Sequence, residues 1–255
     1  MTQADKETER RRYDDRAAQS LAAPNPLAPL GADGIPEELR RPYLRFASLV
    51  CSLNKPGDAV LDLCCGDGQF SFVAASVGAR VTGLDFSDRA LVLAARRTPE
   101  ALHERMHWVQ GDCEQLPFED GAFGGVTCAG GLSYGDWQRV RDEIFRVLRP
   151  GGWFVAVDSY NHSPIYRFNR WLHRLRGRRT AMVNRRIPNR RWLAQWSERF
   201  PGTQVEHFDV LAFLLPLLRL WCDGRQAGCW VEAREPRGRL REWAFKIVVH
   251  SRKPG

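Results

Sequence analysis

The chain has 255 residues, 44% of them hydrophobic and 27% charged, which is enough to bury one full core and too little for two large domains. Seven cysteines stand at 51, 64, 65, 113, 128, 222 and 229 without a repeated Cys-x-x-Cys pair, a pattern that argues against a disulfide framework or a metal cluster and for reduced thiols. No run reaches about 18 apolar residues and no apolar signal segment opens the chain, so the expectation is a soluble, cytoplasmic protein with no membrane span and no metal. The net charge of +8 is unevenly placed, because positions 160–200 hold eleven arginines against one acid, Glu198. A negatively charged partner is expected at that segment.

In chain order, residues 1–34 begin with a mixed charged stretch and run into prolines at 24, 26 and 29. They predict a short helix at most, then a flexible arm, either a disordered tail or a lid that folds Tyr13 over a site. Over 36–53 the apolar residues Leu39, Tyr43, Leu44, Phe46, Ala47 and Val50 recur at helical spacing. The apolar run 59–63 reads as a strand, followed by a glycine turn and a helix over 70–77. A strand over 80–84 ends at Asp85, and Ser87 can cap a helix through about 97. Short strands follow at 108–110, before Gly111 and Asp112, and at 125–129, entering Gly130 and Gly131. A helix over 137–148 is stopped by Arg149-Pro150-Gly151-Gly152 before a strand at 153–157.

Beyond it, Arg167, Arg170, Arg174 and Arg178 stand three, four and four residues apart, a row of guanidinium groups on one helical face. Phe168, Leu172 and Leu175 lie on a neighbouring face able to pack downward. A second helix over 191–200, a strand over 204–210, an apolar stretch over 211–221 and a strand over 241–250 complete the chain. The last strand carries Trp243, Phe245, Ile247 and Val249 on one face. Strands alternating with helices argue for a doubly wound α/β sheet, and the late strand pair suits an antiparallel edge.

The turn VLDLCCGDG (60–68) is the centre of this pattern. It places Gly66 and Gly68 where a ligand can approach the backbone, beside the N-terminus of a helix. The third glycine of a dinucleotide fingerprint is replaced by Ser71, which disfavours nicotinamide binding. Asp62 sits inside the first strand end, and Asp85, nineteen residues after Gly66, can accept from two ribose hydroxyls. Asp112 can accept from an adenine amino group beside the Cys113 N–H.

These residues, with VTGLDFS (81–87), GDCEQLPF (111–118) and VLRPGG (147–152), resemble the class I S-adenosylmethionine-dependent methyltransferases over about 59–158. The resemblance implies a Rossmann-like, doubly wound, seven-stranded and mostly parallel sheet with an antiparallel last strand. It makes 35–255 the methyltransferase domain, with 160–203 as an arginine-rich insertion after the fifth strand. S-adenosyl-L-methionine would lie across the strand ends against Asp62, Cys64, Gly66, Gly68, Asp85, Phe86, Asp112, Cys113 and Ala129. Two positions depart from the family pattern. Cys64 stands where glycine is usual and narrows the space beside the methionine part of the cofactor, and Gly124 stands where an aspartate is frequent.

Methyl transfer needs a nucleophile held about 3 Å from the methyl carbon, and a hydroxyl acceptor also needs a general base. Among Ser133, Tyr134, Asp136, Tyr160 and His162, the expectation is His162 as base, with Tyr134 contacting cofactor and acceptor. Tyr13, Tyr160, Arg167, Arg170 and Arg174 are the expected acceptor-binding residues. The leading expectation is O- or N-methylation of a small anionic, glycan-like or specialised metabolite. An RNA methyltransferase using the arginine row and a non-catalytic cofactor-fold binding module are the alternatives. A membrane-surface role for 208–221 is set against Pro216 and Arg219, which favour a buried element.

Overall fold

The protein is described by a computed structural model covering residues 3–22, 34–175 and 181–255. Seven strands form one sheet: β1 (Ala59–Leu63), β2 (Arg80–Asp85), β3 (Met106–Gln110), β4 (Phe123–Ala129), β5 (Leu148–Ser159), β6 (Gln204–Phe208) and β7 (Lys246–Arg252). Their order is β3-β2-β1-β4-β5-β7-β6. All neighbours pair in parallel except β7, which is antiparallel to both β5 and β6. The central strands are buried on both faces, as a parallel sheet covered by helices requires.

Alternate residues feed two cores. On one face Val60, Val81 and Val155 pack with Phe46 and Val50 of α2 (Arg41–Leu53) and with Phe72 and Ala75 of α3 (Ser71–Ser76). On the other, Leu61, Leu63, Val126 and Phe154 meet Val140 and Ile144 of α5 (Trp137–Val147) and Trp192 and Trp196 of α8 (Arg190–Arg199). The helix α4 (Asp88–Arg97) joins β2 to β3, and Ser87 caps it by accepting from the Ala90 N–H at 3.0 Å. Two strand glycines are required by close packing. A Cβ on Gly83 would lie 2.3 Å from the Trp108 ring, and one on Gly125 2.3 Å from Trp153.

Several expectations differ from what is found. The N-terminal segment is a 20-residue helix, α1 (Gln3–Ala22), instead of a short helix at most. Glu7 pairs with Arg10 and Arg11, and Glu9 with Arg12, at helical spacings that favour this length. A single 3-10 turn, Glu37–Leu39, precedes α2, and β5 starts directly after α5. Trp243 lies in a 3-10 turn, Gly238–Trp243, ahead of β7.

The insertion holds α6 (Pro164–Leu175), α7 (Ala181–Arg186) and α8. Phe168 does not pack downward: it is 60% exposed and stacks on Trp171 at 5.7 Å, while Tyr166 is the buried residue among the described side chains of the helix. Residue 178 and the side chains of Arg174, Leu172 and Leu175 lie outside the described residues. The apolar stretch after β6 forms the turn Ala212–Leu214 and α9 (Leu215–Leu218), followed by α10 (Gly224–Ala233). It is not buried as expected, because Leu217, Leu220 and Trp221 are exposed.

Candidate active site

The chain leaves β1 toward β2 on one side and returns through β4 on the other, which opens a crevice at the carboxyl ends of these strands. A cavity of about 280 Å³ lies there. Its floor is the turn after β1, with Cys64, Cys65 and Gly66, and its walls include Asp85, Phe86, Asp112, Cys113, Ala129 and Gly130. The helix α1 roofs it with Lys6, Arg10 and Tyr13.

Asp85 is the anchor of the floor. Its carboxylate accepts from the Gly66 N–H at 2.8 Å and from the Ser87 N–H at 2.9 Å, joining the glycine turn to the end of β2. Burial pushes its pKa up while these N–H groups pull it down. Gly66 and Gly130 both have positive φ, and the space where a Cβ would stand is open at each. Those two glycines leave bare backbone facing the cavity.

Cys64 has φ 55, the left-handed region that glycine occupies at least cost. A hydrogen bond with Cys113, together with burial, raises its thiol pKa well above the ordinary value, so it is not a thiolate nucleophile. Asp62 and Gly68 do not line the cavity. Asp62 is buried behind the turn, where Ser71 Oγ donates to it at 2.5 Å and Thr127 Oγ1 at 2.8 Å, tying α3 and β4 to β1. Burial pushes its pKa up to about 6. A Cβ at Gly68 would lie 2.8 Å from Trp108, so this glycine serves packing.

Three contacts fix the roof. Lys6 Nζ donates to Asp112 and pairs with Glu114 at 2.9 Å. Tyr13 OH donates to Tyr134 OH at 2.6 Å, with the rings edge to face at 5.4 Å. Ser87 Oγ donates to Asp14. Burial and the Tyr134 contact raise the Tyr13 pKa far above the ordinary phenol, so it stays a neutral donor. Burial would raise the Glu114 pKa, but the Asp136 N–H and Lys6 hold it down to about 2.

The remaining expected residues are elsewhere. Tyr160 is buried, with its ring near those of His162 and His207 at 6.0 and 5.4 Å. His162 faces Glu242 at 3.7 Å. Arg170 turns inward and donates to Tyr160 O at 2.8 Å and Asn161 Oδ1 at 3.0 Å, bracing the chain after β5, whereas Arg167 is exposed. None of these four lines the cavity. Lys6 and Glu114 were missing from the sequence reading. The charge pairs spaced three and four apart in α1 were the available signal for its length, whereas nothing local signals which carboxylates its cations meet. Among the described residues no group of three or more His, Cys, Asp or Glu is placed to hold a metal ion.

This strand order, with β7 antiparallel, is an architecture found among solved methyltransferase structures. Solved structures share it: the geranyl diphosphate C-methyltransferase of Streptomyces coelicolor has a TM-score of 0.61 at 19% identity, covering 84% of this chain and 80% of that one. The [4+2]-cyclase SpnF has a TM-score of 0.56 at 22% identity, covering 82% and 81%. Residues 60–152 match the family model described as a methyltransferase domain. Demethylmenaquinone methyltransferase of Lactococcus lactis is 36% identical over 156 residues, 58% of this chain and 62% of that protein. The chloroplastic 2-phytyl-1,4-beta-naphthoquinone methyltransferase of Arabidopsis thaliana is 40% identical over 116 residues, 43% and 44%. The chain thus spans less than two thirds of the length of these relatives.

Proposed function

We propose that the protein transfers a methyl group from S-adenosylmethionine to a small aromatic acceptor of the quinone type, in the cavity under α1. The observation that carries this reading is the pairing of Asp85 with open backbone at Gly66 and Gly130. The residues fit the cofactor. Each Asp85 oxygen uses one lone pair on an N–H and keeps another for a ribose hydroxyl. Asp112, engaged by Lys6 and the Glu114 N–H, keeps acceptor capacity for an adenine amino group. When bound, the cofactor supplies an electrophilic methyl on a sulfonium.

The protein's own part is positioning and exclusion of water. Tyr13 and Tyr134 present aromatic surface suited to a cation and close the mouth from above. Tyr134 OH accepts from Tyr13, which holds the two rings together over the site. Neither Arg167 nor Arg170 lines the cavity, and the cations that do, Lys6, Arg10 and Arg16, come from α1. The names of the relatives, a demethylmenaquinone methyltransferase and a 2-phytyl-1,4-beta-naphthoquinone methyltransferase, support the acceptor class.

Residues 3–22 act as the lid over this site. The test is incubation with S-adenosylmethionine and a reduced short-chain 1,4-naphthoquinone, followed by mass spectrometry. A single added methyl group is expected, and an unmodified acceptor with cofactor intact would overturn the acceptor assignment.

A further inference from the structure

The second notable surface lies beside the cavity. The chain leaving β5 into α6, the chain leaving β6 into α9 and the turn entering β7 all emerge at one sheet edge, because Ser159 and Phe208 both pair with Lys246. That is the edge at which β1, β2 and β4 end around the cavity, since β5 runs parallel to β4 and β4 to β1. The three segments meet at buried Tyr166. Its ring lies 6.4 Å from Phe213 and 5.0 Å from Phe245, and its OH donates to the Asp209 and Val210 carbonyls.

Around this point large apolar side chains face solvent. Leu217 is 61% exposed, Leu220 75% and Trp221 89%, with Phe168 and Trp171 on α6 and Leu240 before β7 also exposed. A soluble surface scatters such residues singly, and a cluster of them marks an interaction site. Positive charge is in excess around it: Arg167, Arg225, Arg239 and Arg241 are exposed and make no ion pair among the described residues, against the acids Asp223 and Glu242. No described helix is long and apolar enough to cross a membrane.

We propose that this rim is a docking surface for an anionic lipid bilayer, with Trp221, Leu217 and Phe168 entering the headgroup boundary and the arginines meeting lipid phosphates. Exposed Trp and Leu flanked by arginine is the composition that an interfacial surface requires. Charge complementarity selects this occupant over a second copy of the chain, whose rim would bring like charges together. The inference deepens the proposed function, on which it rests for its purpose: a quinone with a long isoprenoid tail resides in the bilayer, and docking at this rim sets the cavity edge against its source.

The test is flotation of the full chain with vesicles of equimolar phosphatidylcholine and phosphatidylglycerol, and with phosphatidylcholine alone. The expected partition onto anionic vesicles is about tenfold higher than onto neutral ones and falls as salt is raised. The double variant Leu217→Glu, Trp221→Glu is expected to lose about tenfold of that partition while thermal midpoint and S-adenosylmethionine affinity stay unchanged. Arg239→Glu with Arg241→Glu is expected to lose the preference for anionic vesicles. Absence of flotation at low salt, or equal flotation of wild type and the Leu217, Trp221 variant, would overturn the proposal. So would a concentration-dependent dimer that the same variant abolishes without any vesicle binding. Cofactor affinity is read separately by calorimetry, so its failure would strike the methyl-transfer reading and leave the docking result standing.

Discussion

Single residues at the strand ends differ in role although they are alike in type. Asp85 touches the cavity, Asp62 ties the sheet to α3 from behind it, and Asp112 is held by a cation from the roof. The spacing of the three aspartates revealed that a site was present, but not which oxygen faced it, because that depends on the direction of each Cβ at the end of its strand. A fourth aspartate was not singled out at all. Asp209, just after β6, is buried with φ 61 and has one carboxylate oxygen without a hydrogen-bond partner among the described residues.

Burial pushes the Asp209 pKa up from 3.8 to about 7. The folded state therefore holds a proton there that the unfolded chain releases near its lower, ordinary pKa, so this group's stabilisation is lost as pH rises from about 4 to about 7. Asp209→Asn keeps the side chain neutral, and asparagine tolerates the left-handed backbone. The variant is expected to be more stable than wild type at about pH 8, by at most on the order of 4 kcal/mol, with the difference shrinking toward about pH 4. Denaturant melts at the two pH values check this, and a difference independent of pH would refute it.

Among the elements, the strands and the helices α2, α4, α5 and α8 followed from periodicity and punctuation, with α2 and β7 beginning later and β5 earlier than expected. The helices α1 and α6 did not. The first is a highly charged helix whose docking depends on a few polar contacts with distant segments, including Lys6 with Asp112 and Tyr13 with Tyr134. The second turned a different face inward, because Tyr166 found carbonyl partners at 209 and 210 and Arg170 braced the backbone at 160. Neither set of partners can be read from helical spacing.

The roof role of α1 makes its own prediction. Lys6→Glu would set three carboxylates against one another at Asp112 and Glu114, releasing α1 at a cost of about 1 kcal/mol in overall stability. Dissociation of S-adenosylmethionine, followed by stopped flow, is expected to accelerate about tenfold, as for a lid that gates release. An unchanged rate with α1 shown detached by hydrogen exchange would remove the lid from the account.

At the scale of the molecule, the sheet order makes the functional geometry intelligible. The switch between β1 and β4 creates the cavity, and the antiparallel β7 brings the segments after β5 and β6 to the same edge. The motif series was sufficient to recognise the cofactor half, because its glycines and aspartates answer to one bound shape. The acceptor half was much less legible. The arginine-rich segment was read as one continuous row, yet Arg170 is spent on the backbone and Arg167 on solvent, while the apolar surface beside them was expected to be buried.

The most direct measurement is calorimetric titration of wild type and Asp85→Ala with S-adenosylmethionine and with its demethylated product. The account predicts one site per chain for both ligands, and for Asp85→Ala a loss of affinity of about a hundredfold with the thermal midpoint of the unliganded protein little changed, as expected when charge-assisted hydrogen bonds to a ligand are removed. Wild type that binds neither ligand, or an Asp85→Ala variant that binds them as wild type does, would contradict it.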